Sequence, residues 1–428
     1  MTTGAMDRRA FARIFAAGGS AALLAASPAG ALSGRGGSLH GGRSLRTGGG
    51  DVDWEAVRAE FLMPPGVVVL NAANLCPSTR SVLGAVFDYT ERMDSEPMPS
   101  FRAEMHAVKE PARDSLARLL GAAPGEILIT RNTSESNNWV SAGLDLGPGD
   151  EVVIVSDNHP SNNRAWKIRA QRFGFSVREL PVRSPHPGME SLLDDFASAI
   201  NGNTRLIAFT HLTNTAGDLF PAGGLCALAR ERGVMSLVDG AQSVGLLDAD
   251  VKRMDPDFYT GSAHKWPCGP KEAGVLYVRS TVHDRFHASV ISAYGGQRGL
   301  ARTHEGLGQR DEPAIRAFGL QVEFLAEIGM DRIEARSRAL GTAAWEGLAR
   351  INGVRMWTSP DPDLRAAVVT FVPGDMDPAG VVASLETRGI VAAARTGADR
   401  PGVRFSPHFY NSFEDVERAV AAVAEILG

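Results

Sequence analysis

Ser236 to Gly269 reads SLVDGAQSVGLLDADVKRMDPDFYTGSAHKWPCG, and the fold follows from what stands at the ends of two short apolar runs within it. Leu237 and Val238 begin a buried strand, with Asp239 where that strand should end. Phe258 and Tyr259 begin a second, which leads to Ser262-Ala263-His264-Lys265. In open α/β sheets, ligand chemistry gathers at the carboxyl ends of strands. An acid at one strand end and a lysine at a neighbouring one therefore face the same crevice.

That pair meets the needs of pyridoxal phosphate: a lysine amine for a Schiff base and a carboxylate to keep the pyridine nitrogen protonated. VDGAQ, followed by D-x-Y-x-x-S-x-H-K-W-x-x-G-P, resembles the class V aminotransferases, the group that includes cysteine desulfurases and isopenicillin N epimerase. The resemblance runs from about Val67 to the C-terminus. It implies a pyridoxal-phosphate-dependent transferase of fold type I, an α/β protein. Its large domain has a mostly parallel, helix-covered sheet, and its small C-terminal domain is α+β. On this reading residues 51–312 form the large domain and 313–428 the small one, with 51–66 able to pack on the latter.

The resemblance also assigns roles. Lys265 carries the cofactor, Asp239 pairs with the ring nitrogen, and Gln242 reaches the ring oxygen. Ser262 and His264 contact the phosphate. Thr130 to Ser136 is a polar turn between a strand and a helix, which presents donors to an anion at a helix N-terminus and caps that helix in any case. The family's Thr-Thr-Glu turn matches it at Thr133 and Ser134, which become phosphate contacts. His159 matches a ring that stacks on the cofactor, and Asn214, in a loop ending at Gly217, matches a donor to the ring hydroxyl. Asn71 to Asn74 resembles a loop near the substrate, which makes Asn74 a substrate contact. In VRFSPHFYN, Arg404 matches the arginine that binds the substrate carboxylate, a task suited to a planar two-bond fork. Glu305 to Asp311 resembles Glu-x-x-Gly-Thr-x-Asp, the segment that reaches the partner subunit's phosphate, with Gln309 in place of the threonine. An amide can still donate there, and a homodimer with a shared active site is expected.

The chain has 428 residues, enough for about two domains. A net charge of −5 and no basic cluster give no footprint for nucleic acid, and no apolar run reaches the length of a membrane span. Asp7-Arg8-Arg9-Ala10-Phe11, a mild Ala/Gly-rich segment and Ala29-Gly30-Ala31 read as a twin-arginine export signal over 1–31. A Gly/Ser/Arg-rich tether over 32–50 follows, and periplasmic or exported location is the expectation, with the cytoplasm as alternative. Cys76, Cys226 and Cys268 are too few and too odd for a disulfide framework. Cys268 lies close to Lys265 in sequence, but nothing beside it there would lower its pKa, so loop packing is the better reading.

Elsewhere, strands at 67–70, 127–129, 151–155, 177–182, 206–210 and 273–278 alternate with helices at 54–63, 82–93, 107–120, 189–200 and 223–232. That alternation argues for a parallel, helix-covered sheet. Helices at 313–328 and 330–350 lead to strands at 366–371, 390–394 and 403–406, and helices at 379–388 and 413–427.

Cysteine desulfurases carry a nucleophilic cysteine on the loop before the carboxylate arginine, and the corresponding loop here, Arg395 to Pro401, has none. The expected reaction is thus α-proton abstraction by Lys265 from an amino acid or amino-bearing natural product, leading to transamination. The alternatives are epimerisation, as the segments at 308–311 and SPHFYN resemble isopenicillin N epimerase-like proteins, and elimination. Two other classes fit the sequence less well. A binding module without turnover would need no retained Lys265, and a metal hydrolase built on His159, His211 and His264 lacks ligand spacing, so no metal is expected.

Overall fold

The computed structural model describes residues 45–428 except Tyr294 and residues 397–399. The expected export signal and nearly all of the expected tether therefore lie outside the described residues. The tether's last residues do not hang free. Leu45 is buried in the core and Arg46 bridges to Val52, so the packed chain already includes residues before Asp51.

Seven strands form the main sheet: β2 (Ile127–Thr130), β3 (Glu151–Val155), β4 (Ser176–Leu180), β5 (Thr204–Thr210), β6 (Met235–Asp239), β7 (Phe258–Ser262) and β8 (Gly274–Val278). Ahead of them, β1 (Val68–Val69) is a short strand apart from this sheet. The spatial order is β2-β8-β7-β6-β5-β3-β4. Neighbours from β7 to β4 run parallel, and only β8 is antiparallel to both of its partners. Strands covered on both faces read as unbroken apolar runs, and ILIT, EVVIV and GVLYV do so. Their alternate side chains enter two different cores. Ile129, Val153, Phe209 and Tyr259 pack with the helices Lys109–Leu120, Met189–Ala199, Ala222–Glu231 and Glu312–Ile328. Leu128, Ile154, Ala208 and Phe258 pack under Trp139 and Trp166, from the helices Thr133–Gly143 and Pro160–Phe173.

The C-terminal domain is built on an antiparallel sheet. In it β9 (Val354–Met356), β10 (Val369–Pro373), β12 (Ala393–Arg395) and β13 (Gly402–Phe405) lie in the order β12-β13-β10-β9. The helices Met330–Ala349 and Phe413–Leu427 cover it. The segment before the main sheet belongs with this domain by contact. β1 pairs in parallel with β11 (Ile390–Val391), Arg58 forms an ion pair with Asp415, and Phe61 packs on Phe409 and Tyr410. Among the described residues no helix is long and apolar enough to cross a membrane.

The expected boundaries move in places. The helix expected over 107–120 starts at Lys109, and a separate one, Pro99–Ala107, precedes it. Pro99 sits at the first helical position, where its missing N–H costs nothing, and Phe101 and Met105, four apart, bury one face. The expected strand at 366–371 runs Val369–Pro373 instead, because Arg365 bridges to Asp218 before the ladder begins. The first helix ends at Ala59 rather than 63, and Phe61 bridges to Thr79.

Candidate active site

The carboxyl ends of β2, β5, β6 and β7, the loop after β3 and strand β13 of the C-terminal domain converge on one cleft of about 270 Å³. Asn74, Thr133, Ser134, His159, Asn214, Asp239, Ser262, His264, Lys265 and Arg404 all line it. Ten of the residues singled out in the sequence are thereby brought to one place, from positions 74 to 404.

Asp239 ends β6 and is buried beneath the cleft. Its Oδ1 accepts from the Ala241 N–H at 3.0 Å, while Oδ2 accepts from Asn137 Nδ2 at 2.8 Å and Asn162 Nδ2 at 3.4 Å. Gly240 lets the chain turn away here: a Cβ on it would lie 2.5 Å from the Thr260 carbonyl oxygen. Neither asparagine is apparent from the sequence motif. Asn137 stands one turn beyond Thr133 and Asn162 three residues beyond His159, so each reaches the cleft from the first turns of a helix.

Lys265 follows β7 at the neighbouring strand end. Burial lowers its pKa to about 8, with Asp239 opposing the shift and the charge of Arg404 adding to it. The neutral amine, the nucleophilic form, is thus far more accessible near neutral pH than for an ordinary lysine.

At another side of the cleft the helix Thr133–Gly143 points its N-terminus inward, capped by Asn132, whose side chain accepts from the Glu135 N–H. The Thr133 N–H donates to Ser262 Oγ at 2.8 Å, and Thr133 Oγ1 shares a second 2.8 Å bond with the same hydroxyl. Ser134 Oγ donates to Ser161 Oγ at 3.1 Å. His264 has a buried Nδ1 with no partner, and burial followed by the charge of Lys265 lowers its pKa to about 4, so it is a neutral ring. Hydroxyls, a helix N-terminus and an orphaned imidazole nitrogen form a donor set suited to a phosphate.

Arg404 is buried on β13. Nη1 donates to the Asn214 carbonyl at 2.8 Å and Nη2 to Asn71 Oδ1 at 3.3 Å, while Nε has no partner. Among the described residues no carboxylate pairs with it, and burial, then the charge of Arg395, lowers its pKa to about 9. His159 caps the helix Pro160–Phe173 by accepting from the Ser161 N–H. Burial and the Lys265 charge lower its pKa.

Gln242 does not line the cleft, and neither does Gln309, which is expected at the partner subunit's phosphate rather than at this one. Gln242 is buried behind the cleft: Nε2 donates to the Ala73 carbonyl at 3.0 Å and Oε1 accepts from Trp266 Nε1 at 2.7 Å, so both ends of the amide are taken. Gln309 lies elsewhere on the surface, donating to Glu312 Oε2 at 2.8 Å and accepting from Arg102. The rest of its segment is structural. Glu305 accepts from Arg113 Nη1 and from the Ile129 N–H, each at 2.7 Å, and Asp311 caps the helix Glu312–Ile328. His211 opens on a different cavity, with Asp248 and Glu334, so the three histidines do not meet. Cys76, Cys226 and Cys268 are all buried, none lines the cleft, and burial raises the Cys268 thiol pKa well above its usual value.

Arg400 is buried, with Nη1 2.5 Å from Asp218 Oδ2 and Nη2 3.2 Å from Asp157 Oδ2. Taken together, the cleft holds an acid fixed from below, an amine of lowered pKa, an anion-binding end and an unpaired guanidinium. A planar cationic ring bearing a phosphate, with a carboxylate-bearing partner beside it, fits that donor set.

A family model described as Aminotransferase class-V matches residues 68–419. Among similar proteins, the isopenicillin N epimerase of Streptomyces clavuligerus is 30% identical over 394 residues, which cover 88% of this chain and 99% of that one. A probable cysteine desulfurase of Halobacterium salinarum is 30% identical over 411 residues, covering 88% and 97%. Among solved structures, a mutant of C-DES with glycine covalently linked to its PLP cofactor superposes with a TM-score of 0.80. At 22% identity it covers 86% of this chain and 99% of its own, a likeness of fold.

Proposed function

This chain belongs to the class V aminotransferase family, whose cofactor is pyridoxal 5'-phosphate, and we propose that it transaminates a carboxylate-bearing amine. The observation that carries the reading is the meeting of Lys265, Asp239 and the acid-free Arg404 in one cleft. Bound there, pyridoxal phosphate supplies an electron sink that makes a substrate's α-proton acidic.

The protein's own residues have separable tasks. Asp239, oriented by Asn137, Asn162 and the Ala241 N–H, offers a carboxylate to a protonated ring nitrogen. Thr133, Ser134, Ser262 and His264, with the helix N-terminus, hold the phosphate. Arg404 grips the substrate carboxylate with its free Nε and one further N–H, and so orients the α-carbon. With the substrate amine joined to the cofactor, Lys265 Nζ would be free to take the α-proton and to deliver it along the same face to the cofactor carbon rather than back to the α-carbon. His159 stands at the wall as a ring able to stack, and Asn74 and Asn214 bound the substrate side.

Transamination needs one base on one face, and Lys265, at about 8, is suited to taking and giving a proton near neutrality. Epimerisation is the second reading. It is favoured by the 30% identity to an isopenicillin N epimerase and needs a second acid on the opposite face, for which His159 is the candidate. Sulfur transfer of the desulfurase kind is disfavoured by the absence of cysteine from 395–401 and by the burial of all three cysteines. We also propose export through the twin-arginine signal at 1–31, and a homodimer whose partner completes the site near Gln309. Cell fractionation and light scattering test these two in turn.

The reaction is tested by incubating the holoenzyme with single amines in deuterated buffer. Release of a 2-oxo acid supports transamination. Deuterium at the α-carbon with inversion and no oxo acid would select epimerisation.

A further inference from the structure

Beside Arg404, which lines the cleft, stands a second arginine, Arg395, which reaches Asn214 on the cleft wall. Arg395 ends β12 and Arg404 lies on β13, with Arg395 opposite Gly402 in the ladder. Side chains two apart on a strand share a face, so the two arginines stand diagonally on one side of the sheet. The two guanidinium groups share one acceptor. Arg404 Nη1 reaches the Asn214 carbonyl oxygen at 2.8 Å, and Arg395 Nη1 reaches the same oxygen at 3.4 Å. Each keeps a buried Nε without a partner.

Among the described residues neither arginine has a carboxylate within ion-pair distance. Asp157, the acid whose charge bears most on Arg395, is already held by Arg400 Nη2 at 3.2 Å and by Thr215 Oγ1 at 2.5 Å. Asp218, the other acid nearby, is occupied by Arg400 Nη1. Two like charges sharing one neutral carbonyl repel, and their unpaired N–H groups lack partners. An arrangement of this kind is suited to an incoming pair of anions, and a bidentate fork is the geometry arginine uses for each.

We propose that the substrate is an amine with two acidic groups, its α-carboxylate on Arg404 and a second, side-chain carboxylate on Arg395. The proposal rests on the reading of the cleft as an amino-acid site and adds the substrate class. Arg395 is then the residue that separates diacids from neutral amino acids.

The test needs no turnover. Glutarate and pentanoate, which share a chain length and differ by one carboxylate, are titrated into the holoenzyme by calorimetry. Glutarate should bind between about ten and a hundred times more tightly, the range for a hydrogen bond to a charged group. Arg395→Gln should erase that preference and leave pentanoate unchanged, Arg395→Lys should restore part of it, and Arg404→Gln should weaken both ligands. Equal affinity for the two acids in the wild-type protein overturns the proposal, whatever the variants do. So does a preference that survives in a folded Arg395→Gln. If glutarate is preferred but no amine reacts, the transaminase reading fails while Arg395 keeps its role.

Discussion

Asn137 donates from Nδ2 to Asp239 Oδ2 at 2.8 Å, and its own carbonyl accepts from Thr260 Oγ1 at 3.3 Å. The hydroxyl fixes which way the amide faces, and the amide fixes the carboxylate. Thr260 lies on the strand next to Asp239 in the register, so the sheet itself sets the orientation. Replacing Asp239 by Asn keeps the shape and removes the charge. Turnover should fall by about 10²–10³-fold, as when one preorganised electrostatic group is lost. Single-turnover kinetics of the loaded variant read this directly. A rate within threefold of wild type would remove Asp239 from the mechanism.

Lys265 should reveal its lowered pKa in apoenzyme reloading. The unfolded lysine titrates near 10.4, and the folded one at about 8. Below that value the amine is charged and inert, and above it neutral and reactive. The rate of borohydride-trapped cofactor attachment should therefore rise with pH to half its maximum near 8. A half-rise near 10 would mean an ordinary, solvated lysine.

Arg404→Ala leaves a carboxylate without its partner in a water-poor site. For amino acids kcat/KM should drop by about thirtyfold or more, in line with about 2–5 kcal/mol for a buried charged pair. A simple amine without a carboxylate should be unaffected. Equal losses for both would assign Arg404 to the fold alone.

Arg400 fastens the loop after β12 to Asp157 and Asp218, and all three are buried. Arg400→Met should destabilise the protein by about 3–5 kcal/mol, because two buried acids lose their counter-charge. Adding Asp157→Asn and Asp218→Asn should recover much of that loss. Denaturant unfolding of the two variants provides the comparison.

The parts of the site legible in the sequence were those set by strand ends. Asp239 and Lys265 follow apolar runs that could only be buried strands, and both lie where that reading puts them. The direction of the Gln242 amide is not legible in the sequence, because it depends on tertiary neighbours. Here Ala73 and Trp266, distant in sequence, claim both of its ends. Arg395, Arg400, Asn137 and Asn162 carry no local signal at all. Each acquires its meaning from a residue on another element, and an arginine or asparagine in isolation reads as an ordinary surface or turn residue. The helix at Pro99–Ala107 is not legible in the sequence because Met98-Pro99-Ser100 resembles a turn, while proline at a first helical position also starts a helix.

The central claim is that Lys265 holds pyridoxal phosphate over Asp239, and the absorption spectrum of the purified protein tests it most directly. The wild-type protein, supplied with the cofactor, should show a visible band that borohydride discharges and that Lys265→Ala lacks. A reactive carboxylate-bearing amine should bleach that band. A folded wild-type protein that takes up no chromophore, even with excess cofactor, would contradict the account.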